Sequence, residues 1–280
     1  MSGLKKLRVG FQGEHGAYSE QAIENEFGAE TETVPCKSIR EVFNLTEVGS
    51  VDLAVVPIEN SIEGSVGETY DLLLTSSVKV VGEIVLRVVH CLIGMQSSRL
   101  EQIRFVYSHP QALAQCRGFV ASLRAEPMIT YDTAGSVKMI KDQANGAAAA
   151  IASEKAASLY GMRVLARGIE DYGRNYTRFL IISKNETRGT KECKTSIIFS
   201  VPHTPGSLYG ALEAFAKEGI NLTKIESRPT RQRPWEYYFF LDFEGHAKDR
   251  KCAHVLAELT KHSVFLKVLG SYPKSRVELS

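Results

Sequence analysis

A polar turn runs directly into an apolar strand in the stretch Gly173-Arg174-Asn175-Tyr176-Thr177-Arg178-Phe179-Leu180-Ile181-Ile182. The hydroxyl of Thr177 can donate or accept a hydrogen bond, and the guanidinium of Arg178 is a planar fork of donors that suits a carboxylate. Because neighbouring residues on a strand face opposite sides, only one of the pair needs to face a ligand, and we expect that one to be Thr177. The stretch therefore predicts a strand end that carries polar groups to a binding site.

Four further polar segments stand where a predicted strand gives way to a turn or a helix. They comprise residues 12–16, 59–61, 108–111 and 132–135. Ligands of open α/β sheets bind outside the carboxyl ends of the strands, and helix N-termini add free N–H groups that attract anions. Each segment alone is also explained by a turn or a helix cap, and Ser108 and Thr133 suit caps well. Together the segments favour a cleft for a small, multiply anionic molecule.

Strands and helices alternate along the first two thirds of the chain, a pattern typical of parallel sheets with helices on both faces. The predicted strands include residues 7–11, 52–58 and 104–107. The sequence predicts an α/β domain over residues 7–184, built from two lobes with a cleft between them. Lobe 1 spans about 7–80 and 163–184, and lobe 2 spans about 81–162 and is inserted in lobe 1. Val164-Leu165 is predicted to return to the first sheet.

The pattern changes after residues 185–194, a polar stretch that we interpret as a linker. Beyond it, over residues 195–273, the predicted order is strand, helix, strand, strand, helix, strand. This βαββαβ order is that of the ferredoxin-like split unit. The sequence therefore predicts a second, smaller α+β domain.

The charge balance and apolar patterning argue against two classes of protein. A net charge of +2, from 34 basic and 32 acidic residues, gives no reason to expect a nucleic-acid partner. No apolar run approaches the roughly 20 residues that a membrane-spanning helix needs. The first ten residues lack the apolar region and cleavage site of a signal peptide, so we expect a cytoplasmic protein.

Cysteine, histidine and glycine spacings argue against metal and dinucleotide sites. The five cysteines are an odd number without CxxC spacing, which favours reduced, mostly buried thiols. The histidines are scattered and form no HExxH motif, so we expect no metal site. Gly10, Gly13 and Gly16 follow the spacing GxxGxxG, which differs from the GxGxxG of a dinucleotide-binding turn.

Four motifs resemble, in order and spacing, those of the prephenate dehydratase family. They are residues 13–19 (GEHGAYS), 57–66 (PIENSIEGSV), 108–116 (SHPQALAQC) and 175–179 (NYTRF). The C-terminal region resembles the ACT regulatory domain through Pro205-Gly206-Ser207-Leu208 and Glu226-Ser227-Arg228-Pro229. The resemblance covers nearly the whole chain and implies a two-lobed catalytic domain like the periplasmic binding proteins, followed by a ferredoxin-like ACT domain.

The resemblance also implies an activity, the conversion of prephenate into phenylpyruvate, water and carbon dioxide on the route to phenylalanine, without a cofactor. The family's essential threonine falls on Thr177, which we expect to act at the leaving oxygen. The expected substrate-binding residues are Asn60, Ser61, Ser108, Gln111, Thr133 and Arg178. His109 is a weaker candidate acid, because Pro110 beside it suggests a structural turn. Asp132 stands where family members carry serine, which leaves Thr133 as the hydroxyl of that segment.

An ACT domain implies feedback inhibition by phenylalanine and pairing of copies into a homodimer or homotetramer. The expected phenylalanine-binding residues are Gly206, Leu208, Asn221 and Leu222, since a glycine lets the backbone approach a ligand closely. The alternative is that these residues are ordinary turn and edge-strand positions of a dimerising module.

Two other functions remain open from the sequence. One is a related dehydratase that prefers arogenate, which carries an amino group where prephenate has a ketone. The other is a non-catalytic two-lobed protein that binds small anions, since two lobes and a cleft are also the plan of solute-binding modules.

Overall fold

The computed structural model describes residues 6–186, 192–231 and 233–275. Residues 187–191, within the predicted linker 185–194, lie outside the described residues. The chain divides into two compact units, Met1–Thr69 with Ile84–Phe179 and Tyr70–Glu83 with Leu180–Ser280. The domain limits expected from the sequence differ from these units at residues 70–83 and 180–184, and they stay predictions.

The first sheet contains three neighbouring parallel strands from the start of the chain. Its strands are β1 (Arg8–Gln12), β2 (Glu32–Cys36), β3 (Leu53–Asn60), β4 (Gly64–Ser65), β5 (Lys79–Arg87) and β11 (Tyr176–Ser183). They lie in the order β2-β1-β3-β11-β5, and the short β4 pairs with β3. The accompanying helices are α1 (Tyr18–Phe27), α2 (Ile39–Val48) and α3 (Gly67–Thr75). Val9, Phe11 and Val55 are fully buried, as expected for strands in a sheet covered on both faces.

The second sheet is inserted in the chain between β5 and β11. Its strands are β6 (Cys91–Gly94), β7 (Phe105–Ser108), β8 (Glu126–Ile129), β9 (Ala148–Ala152) and β10 (Arg163–Arg167), in the order β10-β6-β9-β7-β8. The accompanying helices are α4 (Pro110–Gln115), α5 (Arg117–Ser122), α6 (Thr133–Gln143) and α7 (Glu154–Tyr160), with a 3-10 turn at Leu100–Gln102. The predicted two-lobed α/β architecture is confirmed, while the limits of the lobes stay predictions.

One strand lies in a different sheet from the one predicted. Val164 and Arg167 of β10 pair with Ile93 and Cys91 of β6 in an antiparallel arrangement, so β10 is an edge strand of the second sheet. The expectation that Val164-Leu165 returns to the first sheet is therefore wrong. The residue pattern identifies a strand correctly, but a short edge strand carries no signal for the sheet it joins.

The second unit contains a four-stranded antiparallel sheet. Its elements are β12 (Cys193–Ser200), α8 (Ser207–Lys217), β13 (Leu222–Pro229), β14 (Tyr237–Glu244), α9 (Arg250–His262) and β15 (Phe265–Pro273). The strand order is β13-β14-β12-β15. Ile197, Phe215 and Val255 of the sheet and its two helices form a common buried core. The predicted βαββαβ order is confirmed.

Helix starts follow the sequence signals only in part. Ser38 caps α2, since its Oγ accepts a hydrogen bond of 3.2 Å from the N–H of Glu41. His109, and not Ser108, caps α4 through Nδ1, and Asp132, and not Thr133, caps α6 through Oδ1. The prediction thus places the cap of α4 one residue too early and the cap of α6 one residue too late. The position of a cap depends on where the preceding strand ends, which the sequence does not fix to one residue.

A buried ionic group, which we call the Glu20 cluster, joins the two lobes of the first unit. The carboxylate of Glu20 on α1 accepts hydrogen bonds of 2.7 Å from the N–H of Gly16 and from the hydroxyl of Thr33. It also lies 2.9 Å from Lys155 Nζ on α7 of the second lobe and 2.7 Å from His15 Nδ1. The cluster fixes the β1–α1 loop against α7.

Gly16 makes this contact possible. Its φ is +94°, a conformation that residues with a side chain rarely adopt, and a Cβ there would lie 2.9 Å from Cα of Ala156. Its carbonyl accepts a 2.6 Å hydrogen bond from Ser153, the cap of α7.

The predicted burial of the cysteines is confirmed, since all five are buried; that their thiols are reduced stays a prediction. Among the described residues, no helix combines the length and apolar character required to cross a membrane.

Candidate active site

A cavity of about 590 Å³ lies in the first unit and is lined by residues of both lobes. This volume is typical of sites for small molecules. Each of the five polar segments contributes to its lining, through Gln12, Asn60, His109, Gln111, Asp132, Thr133 and Thr177. The convergence follows largely from topology, because all of these residues except Thr177 stand at the carboxyl end of a strand or at the helix start that follows one. Thr177 is the second residue of β11 and reaches the cavity from the start of that strand.

Thr177 faces the cavity and Arg178 does not line it. Side chains alternate along neighbouring strands β3 and β11, so Asn60 and Thr177 share one face while Glu59 and Arg178 share the other. On that other face, Arg178 Nη1 lies 3.1 Å from Glu59 Oε1, and the Arg178 side chain is only 11% exposed. The arginine therefore pairs within the protein, and the structure gives it no contact with the cavity.

Asn60 holds the hydroxyl of Thr177. The Oδ1 atom of Asn60 accepts hydrogen bonds from the backbone N–H groups of Ile62, at 2.9 Å, and Glu63, at 3.0 Å. Its Nδ2 therefore points the opposite way and donates to Thr177 Oγ1 at 3.0 Å. Because Thr177 Oγ1 is the acceptor in this contact, its own proton is free to point elsewhere.

Ser61 and Ser108 are engaged with backbone groups and are not among the described residues that line the cavity. Ser61 Oγ donates to the carbonyl of Arg174 at 3.0 Å and accepts from the N–H of Tyr176 at 2.9 Å, so it fastens the turn before β11. Ser108 is fully buried and donates to the carbonyl of Ile151 at 2.6 Å. Both hydroxyls position neighbouring segments in this structure.

Gln111 and Thr133 line the cavity from the second lobe, as does His109. The Nδ1 atom of His109 accepts a hydrogen bond of 3.3 Å from the N–H of Gln111, which agrees with a structural role for this histidine in the turn. Gln111 is solvent-exposed and Thr133 is half-buried, so both side chains can reach a bound molecule.

Four further polar residues form a buried chain that sequence reasoning missed. Asn175 Nδ2 donates to Gln115 Oε1 at 2.8 Å, and Asn60 Nδ2 donates to Asn175 Oδ1 at 2.7 Å. His90 Nε2 lies 2.8 Å from Gln115 Oε1, and His90 Nδ1 lies 2.8 Å from the hydroxyl of Tyr18. We call the series Tyr18, His90, Gln115, Asn175, Asn60, with Thr177 at its end, the amide chain.

Signals for part of this chain were present in the sequence. Asn175 lies two residues before Thr177, and Gln115 lies four residues after Gln111 on the same helical face. Tyr18 lies in the motif of residues 13–19, but the sequence carried no signal for its contact with His90, because this contact spans 72 residues and depends on the packing of α1 against the segment after β5.

The charged side chains at the cavity are few. Lys37 is the one lysine or arginine among the described residues that line it, and the acidic lining residues are Glu63, Glu68 and Asp132. Lys37 directly follows β2, so the rule about strand ends would have identified it. Burial is the largest influence on Asp132 and raises the pKa of its carboxyl, although the N–H of Gly135 opposes this by donating at 2.7 Å.

The cavity also has an apolar side suited to a carbon ring. Phe179 lies two residues after Thr177 on the same strand face, and Ile39, Val66 and Val88 line the cavity with it. The described residues contain no group of three His, Cys, Asp or Glu side chains that could hold a metal ion. The site can thus bind a small molecule with polar edges and present one oriented hydroxyl to it.

The expected phenylalanine-binding residues all lie in the second unit. Gly206 has a φ of +82° and stands just before α8, with open space where a Cβ would be. Leu208 and Leu222 pack against the core of the four-stranded domain, and the exposed Asn221 directly precedes β13. Their role in binding phenylalanine stays a prediction.

Comparison with known proteins identifies two regions of the chain. The prephenate dehydratase family model matches residues 9–187, and the ACT domain model matches residues 195–251. The chain is 44% identical over 277 residues to the bifunctional chorismate mutase/prephenate dehydratase of Aquifex aeolicus, covering 98% of this chain and 75% of the relative. It is 43% identical over 284 residues to arogenate dehydratase/prephenate dehydratase 2 of Arabidopsis thaliana, covering 98% and 74%.

Solved structures agree with these matches. The prephenate dehydratase of Arthrobacter aurescens in complex with L-Phe is similar with a TM-score of 0.87 and 32% identity, covering 95% of this chain and 90% of that structure. A protein described as GqqA, a quorum quenching acylase, is similar with a TM-score of 0.88 and 34% identity, covering 96% and 98%. The family model alone spans more than half of the sequence. This chain belongs to the prephenate dehydratase family and carries a C-terminal ACT domain.

Proposed function

We propose that this protein is a prephenate dehydratase, which converts prephenate into phenylpyruvate, carbon dioxide and water, and that Thr177 assists the departing hydroxyl. The observation that carries the proposal is the orientation of Thr177 at the cavity, where Asn60 Nδ2 donates to Thr177 Oγ1 at 3.0 Å. Membership of the prephenate dehydratase family supports the assignment of the substrate.

The chemistry needs no electron carrier. The bond between the ring and its carboxylate breaks, and the electron pair moves through the ring and expels the hydroxyl from the opposite carbon. The departing hydroxide takes up one proton and becomes water, so that prephenate and one proton give phenylpyruvate, carbon dioxide and water. Formation of the aromatic ring provides much of the driving force, and the protein has to bind the dianion and stabilise the leaving oxygen.

Thr177 stabilises the leaving oxygen as a hydrogen-bond donor. A threonine hydroxyl is too weak an acid to deliver a full proton at neutral pH, since an efficient general acid has a pKa near the working pH. A donor oriented in advance towards developing charge instead lowers the barrier by electrostatic stabilisation. Asn60 supplies this orientation by occupying the acceptor side of the Thr177 hydroxyl.

The substrate carboxylates bind to Lys37 and to polar groups of the second lobe. Lys37 provides a positive charge at the cavity, and Gln111 and Thr133 provide neutral donors. Asn60 contributes through Thr177, while Ser61, Ser108 and Arg178 act by holding the segments around the site, since each is engaged with other protein groups.

Phenylalanine inhibits the enzyme by binding to the ACT domain at Gly206, Leu208, Asn221 and Leu222, in a homodimer or homotetramer formed through this domain. The ACT match and the similarity to a prephenate dehydratase solved with L-Phe support this regulation. The open space at Gly206 leaves room for an amino-acid ligand.

Arogenate is the second candidate substrate. The relative from Arabidopsis thaliana is named for both arogenate and prephenate. The carboxyl of Asp132 lines the cavity and, where ionised, would attract the ammonium group that distinguishes arogenate from prephenate.

Turnover of the purified protein tests the proposal. The protein is incubated with prephenate or with arogenate, and phenylpyruvate and phenylalanine are quantified against samples without protein, in the presence and absence of phenylalanine. Formation of phenylpyruvate that phenylalanine suppresses is the expected result. Faster formation of phenylalanine from arogenate would establish the second candidate. Binding of prephenate without turnover would show a non-catalytic anion-binding protein and refute the proposal.

A further inference from the structure

The direction of every hydrogen bond in the amide chain is fixed from its end at Asn60. Two backbone N–H groups donate to Asn60 Oδ1, so Nδ2 must face Asn175 Oδ1 and Thr177 Oγ1. The carbonyl of Tyr176 lies 3.1 Å from the same Nδ2 and shares its two hydrogens. A backbone N–H can only donate, so the opposite orientation of the Asn60 amide would place donors against donors.

The orientation passes along the chain to His90. Asn175 Oδ1 accepts from Asn60, so Asn175 Nδ2 is the group that faces Gln115 Oε1 at 2.8 Å. Gln115 Oε1 is then an acceptor for its other neighbour as well. His90 Nε2, 2.8 Å from this oxygen, must therefore carry a hydrogen.

The far end of the chain closes at Tyr18. A neutral histidine with its proton on Nε2 has a bare Nδ1 that needs a donor. The Tyr18 hydroxyl lies 2.8 Å from this nitrogen and 3.1 Å from the carbonyl of Val89, so the shorter contact is the one to His90. His90 is 3% exposed, and this burial lowers the pKa of its imidazole, although the hydrogen bond to Gln115 opposes the change. Glu170 accepts a 3.0 Å hydrogen bond from the backbone N–H of His90, and its charge also opposes the lowering of that pKa.

We propose that His90, held by Tyr18 in the neutral form with its proton on Nε2, is a positioning residue that holds the buried end of the amide chain in the direction set at Asn60 and thereby keeps the Thr177 hydroxyl aimed at the leaving oxygen. This inference rests on the proposed role of Thr177. In a reversed chain Asn60 would present Oδ1 to Thr177, and the threonine would donate its proton to Asn60 and not to the substrate. The donor at His90 Nε2 excludes that reversal at the buried end.

Nitrogen-15 NMR of the whole protein tests the protonation state directly, without turnover. With labelled histidine, the His90 signals are assigned by their loss in His90→Gln. A protonated Nε2 and a bare Nδ1 are expected at neutral pH. A proton on Nδ1, or a cationic ring, would overturn the proposal whatever the enzyme's activity.

Kinetics of two substitutions test the role in positioning. His90→Gln keeps an amide donor near the position of Nε2, whereas His90→Leu removes it. The leucine variant should lose about tenfold in kcat with KM unchanged, and the glutamine variant should lose about threefold or less. A rise in KM without a fall in kcat, or equal losses in both variants, would contradict the proposal.

A double substitution separates this proposal from the function on which it rests. In a Thr177→Ala background, His90→Leu should lower kcat by no more than about twofold, because the chain acts through the hydroxyl that is already missing. An additive tenfold loss would overturn the positioning role of His90. Full activity of Thr177→Ala alone would instead contradict the proposed function.

A pair of tyrosine substitutions covers the case in which His90→Leu fails to fold. Tyr18→Phe removes the donor to His90 Nδ1 and should lower kcat about threefold to tenfold. Tyr160→Phe removes the 3.0 Å hydrogen bond from Tyr160 to the carbonyl of His15, outside the chain, and should leave kcat unchanged. Equal kcat values for these two variants would count against the proposal.

Discussion

The amide chain and the Glu20 cluster both join the two lobes through buried polar groups, but they do so with opposite chemistry. The amide chain connects Asn60 of the first lobe with Gln115 of the second through neutral groups. The Glu20 cluster connects the first lobe with Lys155 of the second through ionic groups. Of the two, the amide chain lines the cavity through Tyr18, His90, Gln115, Asn60 and Thr177.

The amide chain is suited to orienting a hydroxyl, whereas the Glu20 cluster is suited to holding the two lobes together. A neutral amide has a direction, so a series of amides can hold a hydroxyl in one orientation without adding net charge beside the substrate. An ion pair has no such direction along a chain, but it strongly penalises separation of its partners when buried. We therefore expect changes in the amide chain to affect turnover and changes in the Glu20 cluster to affect stability.

The largest expected effect is at the end of the amide chain. Thr177→Ala should lower kcat about 100- to 1,000-fold, the usual cost of removing one oriented donor, about 2.7–4 kcal/mol. Thr177→Ser keeps the hydroxyl and should lose less than about tenfold. Steady-state kinetics with prephenate measure both. Retention of more than a tenth of wild-type kcat in the alanine variant would show that the hydroxyl does not assist the leaving oxygen.

A change in the Glu20 cluster should have the opposite effect, lowering stability while leaving kcat unchanged. Glu20→Gln removes a charge that receives several hydrogen bonds and should lower the free energy of unfolding by about 2 kcal/mol. Denaturant unfolding at neutral pH measures this. Glu24→Gln is the matched control, since Glu24 also lies 2.7 Å from Lys155 but its side chain is 37% exposed. A fall in kcat of the folded Glu20→Gln protein would contradict the expectation that the Glu20 cluster affects stability alone.

Acid should reduce the difference in stability between wild type and Glu20→Gln. Burial raises the pKa of Glu20, but hydrogen bonds from Lys155, Gly16, His15 and Thr33 outweigh it and lower the pKa to about 2, from 4.5. A lowered folded-state pKa contributes stability that is fully present above pH 4.5 and is lost as the pH falls towards 2. The gap in unfolding free energy between wild type and Glu20→Gln should therefore narrow over that interval.

A third substitution asks whether charge matters at the cavity itself. Lys37→Gln should raise KM for prephenate about tenfold with little change in kcat, because an ion pair with a carboxylate stabilises the ground state and the transition state alike. Lys138→Gln is the matched control, as Lys138 pairs with Glu14 at 3.8 Å and does not line the cavity. Equal KM values for the two variants would show that Lys37 does not bind the substrate.

The smallest effect on turnover is expected at a buried hydroxyl that belongs to neither group. Ser108→Ala removes the hydrogen bond to the carbonyl of Ile151 and should lower the free energy of unfolding by about 1 kcal/mol, while kcat and KM stay within twofold of wild type. Unfolding curves and kinetics of the same preparation measure both. A clear rise in KM would instead show that Ser108 contributes to substrate binding.

The sequence predicted the layout of the site better than its individual contacts. The rule that ligands bind at the carboxyl ends of strands predicted one cavity for residues 12–16, 59–61, 108–111, 132–135 and 175–178, and each of these segments contributes at least one lining residue. The rule does not account for Thr177, which stands at the start of β11. Strand alternation also identified Thr177 as the residue that faces the cavity, whereas Arg178, which we expected to bind substrate, does not line it.

The remaining errors concern orientation over long distances. Whether Ser108 turns towards the cavity or towards Ile151 depends on the neighbouring strand, 43 residues away in sequence. The contact between Tyr18 and His90 likewise exists only after the lobes have packed. Local sequence preferences predict neither the orientation of Ser108 nor the contact between Tyr18 and His90, because tertiary packing decides both.

The close approach at Gly16 restricts how sequences of this architecture can diverge. Any side chain at that position meets the start of α7 and also forces an unfavourable backbone conformation, so the two penalties act together. A descendant that acquired alanine there would have to displace α7 or rebuild the loop. Substitutions in the loop and in α7 should thus be inherited as pairs, even where neither residue touches the substrate.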